Sequence, residues 1–185
     1  MRLDALLAFV PVGTPLSCVG STGATFYSNV VDLLGVGVGQ ASPNIMGNVS
    51  NNAYGAADGM GVGQERVEMA VATGTAFATS NSATLNIQLQ AAVDSGTSGG
   101  YQPGTWNVIE ESGTISATNL AANTVVFRFP WLPPFPENLR PRFLRLAFVT
   151  PASTNFTTGT IAYAVPSLGR DDWFAAYAAK NYTVA

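Results

Sequence analysis

The sequence predicts an all-β protein, a jelly roll or β-sandwich of about eight antiparallel strands. Three observations carry that expectation. Short segments rich in Val, Ile, Thr and Phe recur along the chain with Gly-, Asn- and Pro-bearing turns between them. One of these, residues 84–90, alternates strictly, with Leu85, Ile87 and Leu89 on one side and Thr84, Asn86, Gln88 and Gln90 on the other, which is the period of a half-buried strand. Helical periodicity is almost absent before residue 170. At 185 residues the chain fits one domain, long enough to bury about 70% of its unfolded surface.

The elements follow in order. Residues 1–24 read as an extended N-terminal arm, because Pro11, Gly13, Pro15 and Gly20 interrupt any longer helix. Its apolar run from Ala5 to Val12 is too short to span a bilayer, and Asp4 and Pro15 are wrong for a secretory leader. Residues 25–169 form the domain. Its first strand is expected at 26–32, followed by a long loop at 35–64 rich in Gly and Asn. The tetrad Gly-Val-Gly-Gln occurs there twice, at 37–40 and 61–64, too short to establish a repeat. Further strands are expected at 67–72, 84–90 and 106–110, with a weaker one at 113–120 and another at 124–129; the polar run 94–100 is a flexible loop. Three prolines, Pro133, Pro134 and Pro136, bar residues 131–136 from a central strand and make them a rigid apolar connector. Strands at 143–149 and 159–165 complete the set, joined through Pro151 and Asn155. The tail, 170–185, places Asp171 and Asp172 ahead of Trp173, Phe174, Tyr177 and Lys180, the pattern of a short amphipathic helix or of an apolar arm.

The chemistry available is sparse. There is no histidine, one cysteine (Cys18) and one lysine (Lys180), and charged residues make up 10%. Serine hydrolysis would have Lys180 as its only base, and no nitrogen or thiolate cluster offers a metal site. A single cysteine allows no internal disulfide; Cys18 reads as a small, partly buried apolar residue. The Gly-rich stretch lacks the Gly-Lys-Ser/Thr ending of a phosphate loop. The acid pairs Glu110–Glu111 and Asp171–Asp172 read as solvated, although carboxylates beside Trp106 and Trp131 could in principle serve a sugar. The sequons at Asn48, Asn155 and Asn181 are chance patterns in a chain rich in Asn and Thr. No catalytic residue, cofactor, metal or small-molecule substrate is expected. Net charge is −3, and nucleic acid requires a basic footprint. The nearest candidates, Arg140, Arg142 and Arg145, read as structural or interfacial, with Arg142 and Arg145 on opposite sides of a strand.

What remains is contact. With few charges, much of the surface must be Gly, Ser, Thr, Asn, Ala and aromatic, a composition suited to adhesion. Trp131 and Phe135, flanking Pro133 and Pro134, either fill one end of the sandwich or form a rigid apolar knob. Trp173, Phe174 and Tyr177 have to cover something. Arg2, Asp4, Arg140 and the run Arg170-Asp171-Asp172 are candidate rim charges that set register.

Several segments carry a likeness to a known family. These are the opening Leu3-Asp4-Ala5-Leu6-Leu7-Ala8-Phe9, the strand start at Asn29 with Val30-Val31-Asp32-Leu33, and the block Ala-Thr-Leu-Asn-Ile-Gln-Leu-Gln at 83–90. The last is Pro141-Arg142-Phe143-Leu144-Arg145-Leu146 leading to Asn155-Phe156-Thr157-Thr158-Gly159-Thr160-Ile161. In these the chain resembles the Bbp16-like capsid cement proteins of tailed bacteriophages. The resemblance implies a jelly roll on the outer surface of an icosahedral virion, made in the cytoplasm of the host bacterium. It also implies no enzymatic activity, with the major capsid protein as partner and copies assembled as homodimers, or as trimers, at symmetry axes. Leu6 and Phe9 in the arm would then join Trp131, Phe135 and the tail aromatics as interface residues. A tail or baseplate component and a jelly-roll carbohydrate-binding module are the competing functions.

Overall fold

The computed structural model describes residues 8–32, 67–96, 102–130 and 141–168. The loop expected at 35–64, the connector at 131–136 and the tail at 170–185 lie outside them. Among the described residues the chain is all-β, and its only helical element is a single 3-10 turn at Ala117–Asn119. In chain order the strands are β1 (Leu16–Ser17), β2 (Thr25–Tyr27), β3 (Val31–Asp32), β4 (Val67–Thr73), β5 (Thr84–Asp94), β6 (Pro103–Ser116), β7 (Val125–Pro130), β8 (Phe143–Val149) and β9 (Thr160–Leu168). They form two antiparallel sheets. One runs β1-β9-β4-β7; the other runs β2-β8-β5-β6, with β3 also paired to β8. Each step along the chain from β3 to β9 crosses from one sheet to the other, except the β5–β6 hairpin.

The core lies between the sheets and follows from the alternation in β5. Leu85, Ile87 and Leu89 are fully buried, as the sequence predicts. Opposite them on β8, Phe148 pairs with Ile87, Leu146 with Leu89 and Leu144 with Ala91. These aliphatic and aromatic neighbours share one face of the sheet. Met69 and Val71 of β4 and Ile161 of β9 face them from the other sheet. Phe77 and Phe156 close one end edge to face, ring centroids 4.9 Å apart at 85°. Each such side chain stabilises the fold by about 1.5–3 kcal/mol through burial.

Three sequence expectations are revised. First, the described part of the arm, residues 8–24, is pinned to the domain. The Phe9 and Val10 amides donate to the Ala164 carbonyl at 2.9 and 3.2 Å, β1 pairs with β9, and Phe9, Val10 and Cys18 belong to the core. Second, the strand expected at 26–32 is interrupted. Tyr27 pairs with Ala147 and Val31 with Leu144, so one extra residue sits between β2 and β3, a bulge. The Ser28 amide and hydroxyl serve the Leu146 carbonyl and amide at 3.0 and 2.8 Å, and the Asn29 amide turns to the Phe9 carbonyl at 3.0 Å. Third, the two strands expected at 106–110 and 113–120 are one strand, β6, with the 3-10 turn after it. Three register slips against β5 absorb its irregular pattern. At one of them Gly113 takes φ +69°, and the Ser112 hydroxyl accepts from the Ile87 amide at 2.9 Å in place of a ladder carbonyl.

Candidate functional site

The outer face of the five-stranded sheet is where chemistry-bearing side chains converge. Directly paired residues of antiparallel strands share a face, and three rows cross this one. Tyr27, Ala147, Gln88 and Glu111 form the first, Arg145, Gln90 and Val108 the second, and Phe143, Ala92 and Trp106 the third. The bulges in β6 bring Trp106, Val108 and Glu111 to one side despite their uneven spacing. Ala147 and Ala92, small residues within the rows, leave room above the sheet for longer neighbours.

Arg145 sits at the centre. Its guanidinium carbon lies 3.9 Å from the centroid of the Tyr27 ring and 4.1 Å from that of Trp106, well inside cation–π range on both. Its Nε donates to Gln90 Oε1 at 2.9 Å. The Gln90 amide nitrogen donates to Gln88 Oε1 at 3.0 Å, and the Gln88 amide nitrogen donates to Glu111 Oε2 at 3.4 Å. Asn86 Nδ2 donates to the same carboxylate oxygen at 2.9 Å. A donor-only guanidinium at one end and an acceptor-only carboxylate at the other fix the direction of both glutamine amides. The chain of bonds therefore has one sense, and it locks the arginine's orientation.

The neighbouring arginine is different. Arg142 is only 6% exposed, and its Nη1 donates to Asp94 Oδ2 at 2.8 Å. Its backbone amide holds the Ala92 carbonyl at 2.9 Å, so it ties the end of β5 to the start of β8. Among the described residues Arg145 has no ion pair, and its Nη groups are not spent on a carboxylate. Burial pulls its pKa below the ordinary arginine value, against the opposing effect of the Tyr27 phenol. It remains a partly desolvated cation within cation–π distance of two aromatic rings. Tyr27 and Val108 are 48% and 49% exposed, so the patch is open at its margins. Among the described residues the cluster places no nucleophile beside a base.

Of the residues expected at an interface, Phe9 is described, and it is 1% exposed in the core. Its side chain packs within its own domain and is not offered to a partner, a correction that follows from the hydrogen bonding of residues 9–10 to β9. Arg2, Asp4, Leu6, Trp131, Phe135, Arg140, Arg170, Trp173, Phe174 and Tyr177 lie outside the described residues. Arg142, just ahead of β8, is buried, whereas Arg145, within β8, is half-buried on the outer face. Sequence reading singled out Trp106 but not its partners Tyr27, Gln88 and Gln90; the outward amides at 86, 88 and 90 were the available signal.

Cys18 is buried, and burial pushes its thiol up to about 12, far from a reactive thiolate. Among the described residues no group of three or more His, Cys, Asp or Glu could hold a metal ion, and no helix is long and apolar enough to cross a membrane. The sequon at Asn155 is taken up structurally. Its side-chain oxygen accepts from Asn81 Nδ2 at 3.0 Å and its own Nδ2 donates to the Gly20 carbonyl at 3.3 Å. No protein-family model matches the chain, and no curated protein sequence matches it either.

Proposed function

We propose that this chain is a structural virion protein without enzymatic activity, a cement protein on the outside of an icosahedral phage head that clamps major capsid subunits against the pressure of packaged DNA. The observation that carries the reading is strand order. With β2 and β3 taken as one interrupted strand, eight strands fall into sheets β1-β9-β4-β7 and β2/β3-β8-β5-β6. That order supports a jelly roll, the double Greek key that capsid and lectin domains use. Fold alone does not give function, and the outer face supplies the second support. Tyr, Trp and Arg are the residue types that dominate protein–protein contacts, and here they meet in one cluster. A shell presents the same contact many times, so a modest interface per copy is enough if copies pair, as a closed homodimer would.

The likeness in the segments at 3–9, 29–33, 83–90, 141–146 and 155–161 points the same way. A carbohydrate-binding module would need aromatic faces open to a sugar, whereas Tyr27 and Trp106 each give a face to Arg145. The test is quantitative mass spectrometry of purified phage heads and tails. A fixed whole-number ratio of this protein to the major capsid protein in the head fraction is the expected result. Its absence from heads, or its confinement to tails, would contradict the reading.

A further inference from the structure

The Tyr27–Arg145–Trp106 cluster has a feature that packing alone does not explain. An arginine partly withdrawn from water normally finds a carboxylate, as Arg142 does with Asp94. Arg145 instead has a neutral amide on Nε and two aromatic rings within about 4 Å of its guanidinium carbon. The nearest acid in its hydrogen-bonded chain, Glu111, is two amides away and already accepts from Asn86 and Gln88. With Nε on Gln90 and the Tyr27 phenol as its other hydrogen-bonding neighbour, the guanidinium meets no carboxylate among the described residues, although its planar fork matches one in bidentate fashion. The fork is orientated in advance by the Gln90–Gln88–Glu111 chain, which lowers the entropy cost of using it. Half-exposed Tyr27 and Val108 surround it with apolar surface able to exclude water.

We infer that the outer face of the five-stranded sheet is the surface that meets the capsid shell, and that Arg145 receives there an aspartate or glutamate side chain of the major capsid protein. This rests on the reading of the chain as a cement protein. An acidic protein segment fits better than a nucleic acid, because a phosphate backbone would require several cations and the described face offers this one arginine within a chain of net charge −3. It fits better than a neutral glycan, because a glycan would leave the cation unpaired.

The test is co-sedimentation of the full chain with shells of its cognate major capsid protein, for the wild type, Arg145→Ala and Arg145→Lys, each checked for an unchanged melting profile. The lysine variant serves a second purpose. The natural chain has Lys180 as its only lysine, so the variant places a new amine at position 145, and a zero-length carbodiimide reagent then joins that amine to any carboxylate in contact with it. Binding weakened at least tenfold in Arg145→Ala is expected. Less loss is expected in Arg145→Lys, which keeps the charge but not the fork, together with a cross-link from position 145 to an Asp or Glu of the capsid protein. Wild-type binding that Arg145→Ala leaves unchanged would overturn the assignment of this face and leave the cement reading standing. A cross-link from position 145 to a second copy of the chain would make the face a self-contact and overturn it too, as would release of the protein from shells by a neutral glycan. Wild-type protein that does not bind shells would sink the cement reading and this inference with it. Should the alanine variant fail to fold, Arg145→Lys and its cross-link decide the question alone.

Discussion

Gly159 takes φ +144°, and a Cβ built there would lie 2.5 Å from the Phe77 ring. That ring is fixed edge to face on Phe156 and cannot yield cheaply. Gly159→Ala is therefore expected to cost about 2–5 kcal/mol, from backbone strain and overpacking together, read as a lowered denaturant midpoint. Cys18 makes a pH-dependent contribution. Its folded thiol has a pKa of about 12, against about 8.5 in an unfolded chain. Between those values the folded chain keeps a proton that the unfolded chain has lost, so rising pH favours unfolding. The contribution is whole below about pH 8.5 and falls by up to about 1.4 kcal/mol per pH unit above it, until the folded thiol itself ionises. Stability measured from pH 8 to 11 should drop more steeply for the wild type than for Cys18→Ala. At pH 8 a thiol reagent should leave Cys18 unlabelled until the protein unfolds.

At the scale of single elements, β5 shows what a sequence can disclose. Its period-2 pattern makes Leu89 core and Gln88 surface, and the structure has them so. Leu89→Ala should cost about 2–5 kcal/mol by leaving a cavity. Gln88→Ala should cost less than about 1 kcal/mol, since it removes partly exposed hydrogen bonds; comparing their urea midpoints checks the pair. β6 shows the opposite. Its three slips move residues from one face to the other without any change in local composition, so no periodicity in 103–116 could place Trp106, Val108 and Glu111 together. The sequence at 26–32 predicts one strand, because Ser28 looks like any strand residue. Only its pairing with both polar groups of Leu146 reveals the bulge.

For the whole molecule, the all-β class and most strand positions were legible because burial dictates them locally. The outer-face cluster was not, because it joins residues from β2, β8, β5 and β6 that are separated by up to 120 positions in the chain, as Tyr27 and Ala147 are. The docking of the arm was not legible for a related reason. Prolines and glycines told of an extended chain, but only the edge of β9 shows that residues 9–17 complete a sheet. Deleting residues 1–24 would thus remove Phe9, Val10 and Cys18 from the core, so tests of binding need the intact chain. The most direct measurement is a cryo-electron microscopy reconstruction of capsid shells saturated with the protein. The expected map shows the two-sheet domain at repeated positions on the outer surface, with the five-stranded sheet turned toward the shell and Arg145 against an acidic side chain. Bare shells at saturating protein, or that sheet turned to solvent, would contradict it.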